Sequence, residues 1–223
     1  MRASQFAFFD VDDTLISIKS MFDFFAFWCD RNGAPMLAQE FDERFRAARQ
    51  ANVPREELNR LYYRYLGGAA LTDVREAGED WFAARFHGPD APFIPAPLAR
   101  LRAHQRGGTG IVLVSGSMPP LLAPLARLLG VAHCLSAQLV VDAHGLLTGE
   151  IAAPQTIGAG KAVAIAAFLK RERGTASDCY GYGDDISDLA LLEAVGHPVV
   201  VGRHGALFDI AATRNWEIIP GHA

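Results

Sequence analysis

The chain opens on a short apolar run, Gln5–Asp10, in which two phenylalanines stand directly before an acidic cluster. A run this short predicts a buried parallel strand that delivers Asp10 at its C-terminal end. The pattern then changes. From about Ser20 to His87 the apolar residues recur at helix-like spacing, with no convincing strand. Ser20 is expected to cap a helix over Met21–Asp30 that Gly33 closes, and Pro35–Arg49 has helical composition. Pro54 opens a third segment that runs to Gly67-Gly68, and Thr72 is expected to cap a fourth helix reaching about Phe86. This stretch reads as an all-helical insertion.

Beyond the proline-rich stretch Pro89–Pro97 the pattern alternates. The reading is a helix near Leu98–Gln105, a strand at Gly110–Ser115, a helix over Pro119–Leu129 and a short strand at Val131–Ser136. Gln138–Asp142 and Leu146–Ile151 flank Ala-His-Gly and suit a hairpin. A helix from about Ala159, a strand Asp178–Gly183, a helix Ile186–Ala194 and strands Pro198–Val201 and Trp216–Ile219 complete the chain. Strands alternating with helices imply an α/β class with a parallel sheet and crossovers. Ligands of such sheets bind at the carboxyl ends of the strands, near a switch in strand order.

Composition narrows the function classes. The chain has 223 residues, half of them hydrophobic, which is enough for one core and a modest insertion. Net charge is −4, the pI is near 6.0 and the basic residues are scattered, so no nucleic-acid footprint is expected. Cys29, Cys134 and Cys179 form no CxxC pair and fit a reducing cytoplasm. The apolar runs Phe6–Phe9 and Met21–Trp28 are too short for a signal peptide or a membrane span, so the expectation is a cytoplasmic protein. Monomer and homodimer stay open.

Three predicted strand ends carry polar groups that should meet at one sheet edge. Asp10 and Asp12, two apart, can both face one pocket, and their repulsion calls for a cation or a proton. Ser115-Gly116-Ser117 offers hydroxyls and exposed N–H groups suited to an oxyanion or phosphate. Gly183-Asp184-Asp185-Ile186-Ser187-Asp188 places acids at the mouth of a helix, a set that Mg²⁺ favours when water positions remain open. Lys161, at a helix start, could reach a phosphoryl oxygen. Singly, each feature is as well explained by a turn, a cap or a solvated charge. Their order along one chain is what carries the argument.

In that order the motifs resemble those of the haloacid dehalogenase (HAD) superfamily, at Asp10/Asp12/Thr14, Ser115, Lys161 and Asp184/Asp188. The insertion is similar to the helical cap of subfamily IB, which includes phosphoserine phosphatases. The resemblance implies a HAD-type, Rossmann-like core from residues 1–16 and 90–223, with a small C1-type helical cap over 17–89. It further implies a Mg²⁺-dependent phosphomonoesterase acting on a small phosphorylated metabolite through an aspartyl-phosphate on Asp10. Asp12 would be the acid and then the base, with Ser115, Gly116, Ser117 and Lys161 holding the phosphoryl group. The metal would be held by Asp10, by Asp12 through its carbonyl, by Asp184, and by Asp188 through water unless that residue orients Lys161. Thr14 would brace the turn. Dehalogenases of the superfamily lack the second acid, so Asp12 favours a phosphate ester over a haloacid. A phosphotransferase or mutase is an alternative within the superfamily, and a catalytically silent binding protein is one outside it.

Lys19 stands where phosphoserine phosphatases carry an acid that receives the substrate amine. This departure points to a substrate with a second acidic or polar group, the alternative being a solvated lysine at the hinge. Ser187 likewise replaces an asparagine. Phe22, Phe24, Phe25, Phe27 and Trp28 are candidates to line an apolar pocket or simply to be buried. One of Arg44, Arg46, Arg49, Arg60 and Arg64 could grip a substrate carboxylate.

Overall fold

A computed structural model describes residues 5–222. Strand β1 (Phe6–Phe9) lies at the centre of a six-stranded parallel sheet with β2 (Gly110–Val114), β3 (His133–Leu135), β6 (Tyr180–Gly183), β7 (His197–Val201) and β8 (Glu217–Ile219). The order β3-β2-β1-β6-β7-β8 reverses direction at β1, so the crevice for a ligand opens at the C-terminal ends of β1, β2 and β6. A separate antiparallel hairpin, β4 (Gln138–Val141) and β5 (Leu147–Ala152), sits apart from this sheet. This is the α/β architecture that the alternation of elements implied.

The two-residue period of the strands divides the core. Ala7, Phe9, Ile111, Leu113 and Tyr182 face one layer, which includes Leu101 of α5 (Pro95–Arg106) and Leu121 and Leu125 of α6 (Pro119–Leu129). Phe6, Phe8, Val112, Val114 and Val200 face the other. There they meet α7 (Ala159–Glu172), α8 (Leu189–Glu193) and α9 (Ala206–Arg214).

Four helices stand between β1 and α5: α1 (Ser20–Arg31), α2 (Pro35–Gln50), α3 (Arg55–Arg64) and α4 (Leu71–Phe86). Their aromatic residues Phe24, Phe25, Phe41, Tyr62 and Trp81 are buried in continuity with the first sheet layer. Two contacts fix the insertion. A β-carbon at Gly78 of α4 would stand 2.4 Å from the Pro120 carbonyl oxygen of α6, so only glycine lets these helices approach so closely. At the α3–α4 junction, Gly68 donates its N–H to Leu147 O (2.7 Å) and Leu147 returns one to Ala69 O (2.8 Å). The hairpin thereby clasps the insertion.

Several local expectations change. Ser20 is the first residue of α1, not its cap, because its N–H is taken by Asp12 Oδ2 at 3.0 Å. Thr72 lies inside α4, which has no side-chain cap. Helix α5 starts at Pro95, where a missing N–H costs nothing, not at Leu98. The helix expected over Ile186–Ala194 divides into a 3₁₀ turn, Ile186–Asp188, and α8. Helix α9 fills a stretch left unassigned between the last two strands. Among the described residues no helix is long and apolar enough to cross a membrane.

Replacing Gly78 with alanine should cost about 1–3 kcal/mol through overpacking and recover about 1 kcal/mol in helix propensity. The clash is with backbone, so the cost lies toward the upper end and the net is about 1–2 kcal/mol, a Tm lower by about 2–8 °C, read by scanning calorimetry. An unchanged Tm would mean that α4 and α6 separate without penalty.

Candidate active site

The acids converge because β1 and β6 are hydrogen-bonded neighbours. Asp10, one residue past β1, donates its N–H to Tyr182 O at 3.0 Å, and Asp184 follows β6 directly. Lys161 reaches in from the first turn of α7 with only 3% of its surface exposed. Its Nζ lies 2.5 Å from Asp10 Oδ1 and 2.5 Å from Asp188 Oδ1. Asp188, 2% exposed, also accepts on Oδ2 from the N–H groups of Asp184 (3.2 Å) and Asp185 (3.3 Å). Thr14 donates to Asp184 Oδ1 at 2.9 Å, so it holds an acid as well as the turn. The start of α7 packs tightly: a β-carbon at Gly160 would lie 1.7 Å from Gln155 O.

Asp12 is built differently. Its Oδ2 is held by Ser20 N–H, while its buried Oδ1 has no hydrogen-bond partner. Burial first, and then the charge of Asp10, push its carboxyl up to about 7. Asp10 and Asp184 are pushed up for the same reasons, burial and neighbouring carboxylates, with Lys161 and Thr14 respectively pulling back. Burial would lower Lys161, but Asp10 and Asp188 outweigh it and raise it.

The strand-end loop after β2 supplies the neutral side. Ser115 Oγ accepts from Ser117 N–H at 3.0 Å, which fixes the oxygen and leaves its own proton to donate. Gly116 O is held from the insertion by Asn59 Nδ2 (3.1 Å) and Tyr63 OH (2.7 Å).

Asp10, Asp12, Lys19, Ser115, Gly116, Ser117, Lys161, Asp184 and Asp188 all line one cavity of about 630 Å³. Lys19 is not free within it, since its Nζ pairs with Asp13 at 2.5 Å. Of the aromatic candidates only Phe22 lines the cavity, and Phe24 and Phe25 are buried in the core instead. Met21, Phe45 and Leu58 complete the apolar wall. Of the arginines singled out in the sequence, Arg49 alone is there, and it makes no ion pair among the described residues. Arg55, which sequence reasoning passed over, also lines the cavity and pairs with Asp185 across its mouth. Its signal was spacing. Arg55, Leu58, Asn59 and Tyr62 lie at i, i+3, i+4 and i+7, one face of α3.

The residues present fit a hard cation. Carboxylate oxygens of Asp10, Asp184 and Asp188 lie within 4.8 Å of one another, and the Asp12 carboxyl, held at Oδ2 by Ser20, is not part of that group. All three donors are oxygen, the set that Mg²⁺ takes, and one ammonium cannot neutralise them. Asp10 and Asp184 have a raised proton affinity, through burial first and neighbouring carboxylates second, and the second cause is one that a bound cation would offset.

The fold has counterparts among known proteins. Residues 7–193 match the family model described as haloacid dehalogenase-like hydrolase, and the chain belongs to that family. A Mycobacterium tuberculosis protein named a probable phosphatase is 30% identical over 228 residues, covering 98% of this chain and 76% of its own. Among solved structures, a Bordetella pertussis protein of unknown function superposes with a TM-score of 0.84 at 24% identity, covering 97% of this chain and 98% of that one. A substrate-bound phosphoserine phosphatase superposes at 0.68 with 15% identity, over 98% and 94% of the two chains. These likenesses confirm the fold.

Substituting Lys161 with methionine leaves Asp10 and Asp188 buried without their ammonium. Breaking a buried pair from one side typically costs about 3–5 kcal/mol. The Tm in metal-free buffer should fall by about 6–20 °C, and a fall under 2 °C would show that the carboxylates do not need the charge.

Proposed function

We propose that this hydrolase is a Mg²⁺-dependent phosphomonoesterase with Asp10 as nucleophile. Residues 17–89 form its cap, and residues 1–16 with 90–223 form its catalytic core. The observation that carries the reading is the pair of unlike acids in one cavity. Asp10 is held on Lys161, while Asp12 presents a bare Oδ1 and a carboxyl whose affinity for a proton lies near neutrality. Two neighbouring acids with divergent environments are what a nucleophile and a general acid require.

In this reading an oxygen of Asp10 attacks phosphorus as the P–O bond to the leaving group breaks, and Asp12 Oδ1 passes its proton to the departing oxygen. Asp12, now a carboxylate, takes a proton from water. The resulting hydroxide attacks phosphorus, the Asp10 O–P bond breaks, and phosphate leaves with Asp12 protonated again. Ser115 O–H, Lys161 and N–H groups of the Gly116–Ser117 loop stabilise the equatorial oxygens. Asp188 orients Lys161, an arrangement supported by their 2.5 Å contact. Mg²⁺ held by Asp10, Asp184 and the Asp12 carbonyl, with Asp188 behind them, would neutralise charge on the phosphoryl group. The cavity volume suits a small metabolite, and the name of the mycobacterial relative agrees with the activity.

Phosphate release from an aryl phosphate should require Mg²⁺, stop with EDTA, and fall at least about 1,000-fold in Asp10→Asn. Asp12→Asn should lose about 100- to 10,000-fold. Turnover that survives Asp10→Asn would remove the nucleophile from the scheme.

Mg²⁺ should also raise the Tm of the wild-type chain, by binding only the folded state, and raise it less in Asp184→Asn. An equal rise in both would move the cation elsewhere.

A further inference from the structure

Among the described residues only two buried side-chain polar atoms lack a hydrogen-bond partner, Asp12 Oδ1 and the Tyr62 hydroxyl. Both residues line the same cavity. Folded proteins rarely leave such atoms unanswered, and those they do leave call for an explanation. Asp12 has one in its proton transfer. Tyr62 has none so far.

Its neighbours sharpen the contrast. Tyr62 is 1% exposed and stands on the α3 face that carries Arg55, Leu58 and Asn59 into the cavity. Asn59 spends both ends of its amide on the core, donating to Gly116 O at 3.1 Å and accepting from Gln155 Nε2 at 2.7 Å. Tyr63, equally buried, donates to Gly116 O at 2.7 Å. These two side chains fasten the insertion to the core; the Tyr62 hydroxyl fastens nothing. The phenol stays protonated, because burial, the Tyr63 ring and then the charge of Asp12 all oppose ionisation. It is therefore a donor, and it stands on the Asp12 side of the cavity: its ring centroid lies 6.5 Å from that of Phe22, two residues beyond the Ser20 N–H that holds Asp12.

We propose that Tyr62 is a specificity-determining residue that donates a hydrogen bond to an acceptor oxygen of the leaving group, placed on the carbon next to the one bearing the phosphate. The substrate class is a phosphate monoester with an adjacent carbonyl, ether or hydroxyl oxygen and a largely apolar remainder. Met21, Phe22, Phe45 and Leu58 receive that remainder. The phenol oxygen has almost no exposed surface, so a group in the cavity reaches it only if a side chain of the cavity wall moves aside. Phe22 is the side chain that yields: it is 38% exposed, and its ring centroid lies 6.5 Å from that of Tyr62. This inference rests on the phosphatase reading and specifies its leaving-group side.

The test uses the full chain with Mg²⁺ and two nearly isosteric esters, 2-methoxyphenyl phosphate and 2-ethylphenyl phosphate, of which only the first carries the adjacent acceptor. The wild type should favour the methoxy ester in kcat/KM by about five-fold, the scale of one neutral hydrogen bond. In Tyr62→Phe that ratio should collapse to about one. The Tm of Tyr62→Phe should equal or exceed that of the wild type, because the variant removes an unanswered buried hydroxyl. Tyr63→Phe, which loses a made bond, should melt lower. The proposal is overturned by a wild-type ratio near one, by a ratio that survives in Tyr62→Phe, or by a lower Tm in that variant, which would mean the phenol has a partner within the fold. Failure of the phosphatase reading looks different: the wild type would release phosphate from neither ester, before any variant at Tyr62 is made.

Discussion

Lys161 is an ammonium group sealed between two carboxylates, 2.5 Å from each, with almost no solvent to share the charge. A lone buried charge of either sign is strongly unfavourable, and the three groups are tolerable only together. Much of the local architecture serves to keep them so. The tight start of α7 aims the lysine, backbone N–H groups of Asp184 and Asp185 hold the far oxygen of Asp188, and β1 delivers Asp10 beside β6. One positive charge is still too little for the acids present. That imbalance is one a hard cation would offset.

The helical insertion is attached to this centre through groups that also shape the cavity. Asn59 and Tyr63 hold the carbonyl of Gly116, so the loop bearing Ser115 and Ser117 is braced from across the crevice. Arg55 pairs with Asp185, which in turn accepts from Ser187 N–H at 2.9 Å and caps the 3₁₀ turn leading to Asp188. The β4–β5 hairpin clasps the other end of α3. A disturbance of α3 is therefore coupled to both the Ser115–Ser117 loop and the Asp184–Asp188 loop through direct bonds.

Much of the core was legible because its signals are local. The apolar run before Asp10, the run before Ser115 and the Gly183-Asp184 turn each place polar groups at a strand end, and parallel pairing brings strand ends to one edge. The same locality explains the misses. Ser20 has the right residue type for a cap, yet its N–H goes to Asp12, eight residues back, a contact that local preference does not encode. Lys19 does line the cavity, but the sequence carried no sign of its partner, the carboxylate that the turn at Asp13, with φ +62°, brings to it. Arg55 and Tyr62 were hidden because a helix face acquires meaning only once its neighbours are known.

Thus the linear order of residues determined the α/β class and the all-helical character of residues 20–86, and marked the acid, serine and lysine residues as candidates, since these follow from periodicity and residue chemistry. Only the tertiary structure decided which charges are already paired, which of two adjacent tyrosines fastens the fold and which is left unanswered, and which arginine lines the cavity without an ion pair among the described residues. The reason is physical. Pairing and burial depend on distances between segments far apart in the chain, and a one-dimensional pattern carries no record of them.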